Sequence, residues 1–115
     1  MSLRTLIVED EMIIAITLEG MLRDLGHEVV GIASRLDEAL EMVKTLEFDI
    51  TILDLNLRGD MTFPVADFLL ESNTPFIFST GYGEGEVDGR YVQPVLTKPY
   101  DEPALVEALG RINRG

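Results

Sequence analysis

Short apolar runs alternate along the chain with longer stretches in which apolar residues recur at helical spacing. Leu3 to Val8 is near-continuous in Leu6-Ile7-Val8 and predicts a first strand, ending in Glu9-Asp10-Glu11. Ile14, Leu18, Met21, Leu22 and Leu25 then share one helical face, and Gly26 stands where a helix stops. Glu28 to Ala33 reads as a second strand. Ser34-Arg35-Leu36-Asp37 matches a capping box, opening a helix with Leu36, Leu40 and Val43 on one face. The third run, Ile50 to Leu53, stops abruptly at Asp54. After a loop at Leu57 to Met61, Thr62 is a candidate cap for a helix carrying Val65, Phe68 and Leu69, which Asn73-Thr74-Pro75 ends. Phe76 to Ser79, ending at Thr80, forms a fourth strand; Val95-Leu96-Thr97 forms a fifth, followed by Lys98-Pro99. Asp101 caps a last helix with Leu105, Ala108, Leu109 and Ile112 on one face. Between the last two strands, Tyr82 to Gly89 has three glycines, three acids and almost nothing to bury, so any helix there is short and loosely held.

Five strands alternating with four or five helices over short connections demand a parallel sheet with right-handed crossovers and helices on both faces. The expectation is one compact α/β domain over residues 1–115, without repeats or linkers. A strand as short and apolar as Ile50 to Leu53 belongs in the middle of such a sheet. All strand carboxyl ends then lie on one edge, where open α/β sheets bind ligands. That edge receives Glu9 and Asp10, Asp54, Thr80 and Lys98.

Composition narrows the chemistry. The net charge is −12, from 21 acids against nine Lys and Arg, a field that repels phosphate backbones and argues against direct nucleic-acid binding. The chain has no cysteine, which removes disulfides, thiolate metal sites and cysteine nucleophiles together and suits the cytoplasm. No apolar run approaches the roughly 20 residues of a membrane span, so no membrane association is expected.

Three carboxylates on one rim repel: each pair at about 4 Å costs on the order of 4 kcal/mol at an effective dielectric near 20. Such a cluster takes up protons or holds a cation. Oxygen ligands without His or Cys favour Mg²⁺. A metal-assisted phosphoryl transfer needs an aligned nucleophile and donors around the transferred oxygens. Asp54 can be that nucleophile, Lys98 and the Thr80 hydroxyl the donors, and the Asn56 backbone carbonyl a further metal oxygen. Taken singly, an acid at a strand end favours the next helix dipole and nothing more; five fitting residue types at five rim positions are a stronger signal.

Val8-Glu9-Asp10-Glu11, Ile52-Leu53-Asp54-Leu55-Asn56, Ser79-Thr80-Gly81 and Thr97-Lys98-Pro99, in this order, resemble the receiver domain of bacterial two-component response regulators. The resemblance implies a doubly wound five-stranded parallel sheet of order 2-1-3-4-5, the flavodoxin-like receiver fold. It implies a sensor histidine kinase as phosphoryl donor, Asp54 as acceptor, Glu9 and Asp10 as Mg²⁺ ligands, and Thr80 and Lys98 as residues that report and stabilise the phosphoryl group. It also implies a signalling domain rather than an enzyme, limited to self-catalysed phosphotransfer and autodephosphorylation. More narrowly, Pro75 to Gly83 with Leu96-Thr97-Lys98-Pro99-Tyr100 resembles the FATGUY subgroup, with Ser79 where the subgroup name has alanine. Such receivers often stand alone and work with kinases of the HWE or related types.

One departure concerns readout. Receivers usually carry Tyr or Phe three residues before the lysine; here that residue is Val95, too small for the same inward swing. The segment Gly81 to Gly89 is the expected switch in its place. His27 reads as an exposed bystander at a turn, Tyr82 as either a shield for the acyl phosphate or a loop aromatic, and Tyr100 as packing beside the last helix. A flavodoxin-like electron carrier is set aside because Glu9-Asp10-Glu11 repels a phosphate, and a haloacid-dehalogenase-type hydrolase because Glu9-Asp10 lacks its D-x-D spacing. With no output domain after Arg114-Gly115, output is expected through a protein partner or phosphotransferase. The chain is then either a free regulator, such as a phosphate sink, or the receiver part of a longer regulator or hybrid kinase.

Overall fold

The computed structural model describes residues 2–81 and 91–113. Five parallel strands form one sheet: β1 (Arg4–Val8), β2 (Glu28–Ala33), β3 (Ile50–Asp54), β6 (Phe76–Thr80) and β7 (Val95–Thr97), in spatial order β2-β1-β3-β6-β7. Numbered among themselves, these strands run 2-1-3-4-5, as expected. Four helices are present among the described residues: α1 (Met12–Asp24), α2 (Leu36–Thr45), α3 (Phe63–Glu71) and α4 (Glu102–Asn113).

Strand alternation divides the core into two clusters. Leu6, Val8, Leu53, Phe76 and Phe78 face α2 and α3, meeting Ala39, Val43, Val65, Ala66 and Leu69. Ile7, Ile50, Ile52, Ile77 and Leu96 face α1 and α4, meeting Ala15, Leu18, Leu22, Leu105 and Leu109. Each fully buried aliphatic or aromatic side chain contributes about 1.5–3 kcal/mol. The central strands β3 and β6 are buried along their whole length. They end in the polar residues Asp54, Ser79 and Thr80, which stay buried at the sheet's carboxyl edge.

Several local expectations are corrected. Ser34 does not form the capping box: Arg35 occupies the N-cap of α2 without a side-chain bond, while Glu38 reaches back to the Ser34 N–H at 2.8 Å. Thr62 is the N-cap of α3, yet its hydroxyl donates away from the helix, toward the carbonyls of Asp54 (2.6 Å) and Leu55 (3.1 Å). Asp101 does cap α4, accepting from the Ala104 N–H at 3.0 Å. Gly26 has φ +89, the left-handed conformation that ends α1.

The stretch read as a loop after β3 contains a small hairpin, β4 (Asn56–Leu57) with β5 (Asp60–Met61). Its two-residue turn places Arg58 at φ 53 and Gly59 at φ 95, the paired positive values that match strand twist in tight hairpins. The usual Asn-Gly or Asp-Gly signal is missing, which is why the sequence does not announce it. Instead the Asn56 side chain accepts from the Gly59 N–H at 2.7 Å and steadies the turn.

Candidate functional site

Each rim residue is placed by a strand end. Continuing the alternation past the last core residues Ile7, Ile52, Ile77 and Leu96 puts Glu9, Asp54, Ser79 and Lys98 on the α1/α4 side of the sheet. Thr80, one residue on from Ser79, points to the other side and is buried. Asp54 on β3 pairs in register with Ser79 on β6, and Thr80 pairs with Thr97 on β7. The Lys98 N–H donates to the Thr80 carbonyl at 2.8 Å, so the lysine enters beside the threonine.

The structure brings the three acids together. Glu9, Asp10 and Asp54 each offer an oxygen, all within 4.8 Å of one another. Lys98 Nζ sits between two of them, 2.7 Å from Glu9 Oε1 and 3.0 Å from Asp54 Oδ2, with its side chain 16% exposed. Asp54 Oδ1 accepts from the Asn56 N–H at 3.2 Å. Asp10 Oδ2 accepts from the Arg58 N–H at 3.0 Å, so the β4–β5 hairpin is tied to the cluster. Glu9 Oε2 accepts from the Glu11 N–H at 3.1 Å. Above this floor a cavity of about 360 Å³ is lined by Asp10, Asp54, Asn56, Thr80, Gly81 and Lys98.

The electrostatics fit a crowded acid site. Burial pushes the Glu9 carboxyl up to about 7, although Lys98 and the Glu11 N–H pull it down. Burial alone would lower the Lys98 ammonium, but its bonds to Glu9 and Asp54 outweigh burial and raise its pKa. With all three carboxyls ionised, one ammonium leaves two negative charges. An all-oxygen donor set with that residual charge fits a hard divalent cation.

Two peripheral groups differ from expectation or refine it. His27 is no exposed bystander: half-buried, its Nδ1 accepts from the Leu3 N–H at 3.0 Å and anchors the start of β1. Tyr100 packs on the α1/α4 cluster as expected, and burial pushes its phenol up to about 12. Val95 fills a core position on the α2/α3 side. The readings of Tyr82 and of the switch segment through Gly89 lie outside the described residues.

Sequence reasoning read Thr62 only as a cap and missed that its hydroxyl supports the backbone of Asp54 itself; it also missed the Arg58 N–H on Asp10. Neither carries a sequence signal, since each contact crosses a hairpin that the pattern does not show. Tyr91 was also missed. It stacks on Phe63 with centroids 5.5 Å apart, meets Phe78 edge-on at 5.3 Å, and donates to Asp67 at 2.5 Å. Thus an aromatic does lead into β7, four residues before Val95.

The fold has close counterparts among solved structures. The solution structure of SdrG from Sphingomonas melonis Fr1 superposes with a TM-score of 0.87 at 39% identity, covering 96% of this chain and 95% of that one. The BeF3-activated conformation of SdrG matches with a TM-score of 0.80 at 40% identity, over 93% and 92% of the two chains. The phyllosphere-induced regulator PhyR of Methylorubrum extorquens is 34% identical over 114 residues, 95% of this chain and 42% of PhyR. The chain spans about half the length of the curated relatives it matches. Among the described residues no helix is long and apolar enough to cross a membrane. The response regulator receiver domain family matches residues 5–110, and the chain belongs to that family, the receiver domains of two-component response regulators.

Proposed function

We propose that this domain accepts a phosphoryl group on Asp54 from the phosphohistidine of a sensor histidine kinase. The observation that carries the reading is Lys98 Nζ held between Asp54 Oδ2 and Glu9 Oε1 at the floor of an open cavity. An Asp54 oxygen attacks phosphorus, the P–N bond to imidazole breaks, and the imidazole nitrogen keeps the electron pair. Asp54 then carries an acyl phosphate. Lys98 exchanges its carboxylate oxygen for a phosphoryl oxygen, and the Thr80 hydroxyl, turning from the other side of the sheet toward the cavity its residue lines, donates to another. The Asn56 N–H continues to orient the Asp54 carboxyl.

Glu9, Asp10, Asp54 and the Asn56 carbonyl are the groups that would hold Mg²⁺. When bound, Mg²⁺ neutralises charge on the transferred phosphoryl oxygens. The roles of the chain's own groups are separate: Glu9 anchors Lys98, and Asp10 fastens the hairpin that carries Asn56. The acidic field of the domain favours a basic partner surface over nucleic acid. We assign the output to protein partners in the cytoplasm. The likeness of Pro75 to Gly83 and Leu96 to Tyr100 to FATGUY receivers supports a kinase of the HWE or a related type.

The test is incubation with acetyl phosphate and Mg²⁺ followed by intact mass. One added phosphoryl group in the native chain and none in Asp54→Asn is expected. Equal labelling of both chains refutes the assignment.

A further inference from the structure

Two hydroxyls beside the carboxylate cluster are buried without a hydrogen-bond partner, Ser79 Oγ and the Tyr100 hydroxyl. The large majority of buried polar groups in native folds are paired, so two unpaired hydroxyls beside one site call for an explanation. The third of this kind among the described residues, Thr51 Oγ1, lies mid-strand on the opposite side of the sheet, away from the cavity. Ser79 sits in register between Asp54 on β3 and Leu96 on β7, on the side of the sheet that carries Glu9, Asp54 and Lys98. Tyr100 lies two residues beyond Lys98, with its ring against the α1/α4 cluster. The charges of Glu9, Lys98 and Asp54 all act on its phenol, and so does the Ser79 hydroxyl. The two hydroxyls therefore neighbour each other next to Lys98, near enough to interact and short of a well-formed bond.

In this arrangement two of the three Lys98 N–H donors are held by carboxylates, one of them that of Asp54. A phosphoryl group on Asp54 moves the acceptor oxygens outward into the cavity, and the lysine must follow. Lys98 and Tyr100 are joined through Pro99 after a strand of only three residues, so a displacement of one is passed to the other. A pair that is unbonded in one state and bonded in the other biases the equilibrium toward the second.

We propose that Ser79 and Tyr100 are positioning residues for Lys98, whose hydroxyls bond to each other when Lys98 leaves Asp54 for the phosphoryl group. The pair thereby stabilises the phosphorylated arrangement and speeds its formation. This inference rests on Asp54 as the phosphoacceptor.

Ser79→Ala, Tyr100→Phe and the double variant are labelled with acetyl phosphate while Mg²⁺ is titrated, alongside Asp54→Asn. Each single variant is expected to label about fivefold more slowly at saturating Mg²⁺, the worth of one net hydrogen bond. The double variant labels no more slowly than either single one. The Mg²⁺ concentration for half-maximal rate stays unchanged, which a general distortion of the site would shift. Because each substitution removes a hydroxyl unpaired in the unphosphorylated state, the melting temperature stays level or rises. Wild-type rates in the single variants, multiplying effects in the double variant, a shifted Mg²⁺ midpoint or a lowered melting temperature would each overturn the pair. Failure of the wild-type chain to label, or equal labelling of Asp54→Asn, would instead remove the phosphoacceptor reading beneath it.

Discussion

Glu9 offers the clearest quantitative consequence of the site. The residue is 2% exposed, and its carboxyl touches Lys98 at 2.7 Å and offers an oxygen within 4.8 Å of oxygens of Asp10 and Asp54. Burial raises its pKa from the ordinary 4.5 to about 7. A carboxyl raised on folding holds its proton more tightly in the native state, so stability is greatest below 4.5 and falls until the pH passes about 7. At about 1.4 kcal/mol per pH unit, that interval bounds the loss at about 3 kcal/mol. Glu9→Gln removes the titration while keeping an amide oxygen for Lys98. Its amide N–H₂ then meets the Glu11 N–H, a donor facing a donor, which costs about 1 kcal/mol at every pH. Urea unfolding across the interval, read as the difference between wild type and Glu9→Gln, isolates this group. His27 titrates in the opposite sense: burial lowers its pKa, so its contribution grows as the pH rises toward 6.5, but it cancels in the difference. The difference should shift toward the Gln variant by about 2–3 kcal/mol between pH 4.5 and about 7. A flat difference would refute the picture of a buried, overcrowded acid cluster.

Other consequences follow from single contacts. Saturating Mg²⁺ should flatten the falling limb in wild type and stabilise Glu9→Gln less, through Asp10 and Asp54 alone; equal stabilisation of both chains would remove Glu9 from the metal set. Thr62→Val leaves the Asp54 carbonyl without its 2.6 Å donor and should cost about 1–3 kcal/mol by urea unfolding, with Thr62→Ser recovering most of it. A Val variant as stable as wild type would mean that the backbone under Asp54 needs no such support. Tyr91→Phe keeps the stacking on Phe63 but loses the bond to Asp67, for a loss of about 1.5–3 kcal/mol because the acceptor is charged. Arg4→Ala severs exposed pairs with Glu47 and Asp49 and should leave the melt near-superimposable on that of wild type.

Most of the architecture is legible in the sequence because its strands are short, apolar and bounded by acids or hydroxyls. Leu6-Ile7-Val8 followed by Glu9, and Ile50 to Leu53 followed by Asp54, mark both the strand and its end. Parallel topology then does the assembly: it alone brings residues 45 and 44 positions apart in sequence, Asp54 to Glu9 and Lys98 to Asp54, into one cluster. What the pattern does not carry is the detail of polar side chains in turns. Thr62 looks like a cap, but a hydroxyl with two backbone carbonyls in reach bonds there instead. Ser34 looks like half of a capping box, but Glu38, one residue further on, is the partner that closes on it. His27 looks exposed because it follows a glycine turn, yet the same turn brings it against the Leu3 N–H. Arg58-Gly59 is not the usual hairpin dipeptide, so the hairpin that positions Asn56 and binds Asp10 stays hidden in the sequence. In each case the deciding partner comes from another element, or from a shift of one residue, that hydrophobic periodicity does not resolve.

The central claim is that Asp54 carries the phosphoryl group. Borohydride reduction converts an aspartyl phosphate to homoserine, and peptide mapping locates it. After acetyl phosphate and Mg²⁺, the account predicts homoserine at residue 54 and at no other acid of the cluster. Homoserine at Asp10, the longer alcohol 2-amino-5-hydroxypentanoic acid at Glu9, or no homoserine at residue 54 would contradict it.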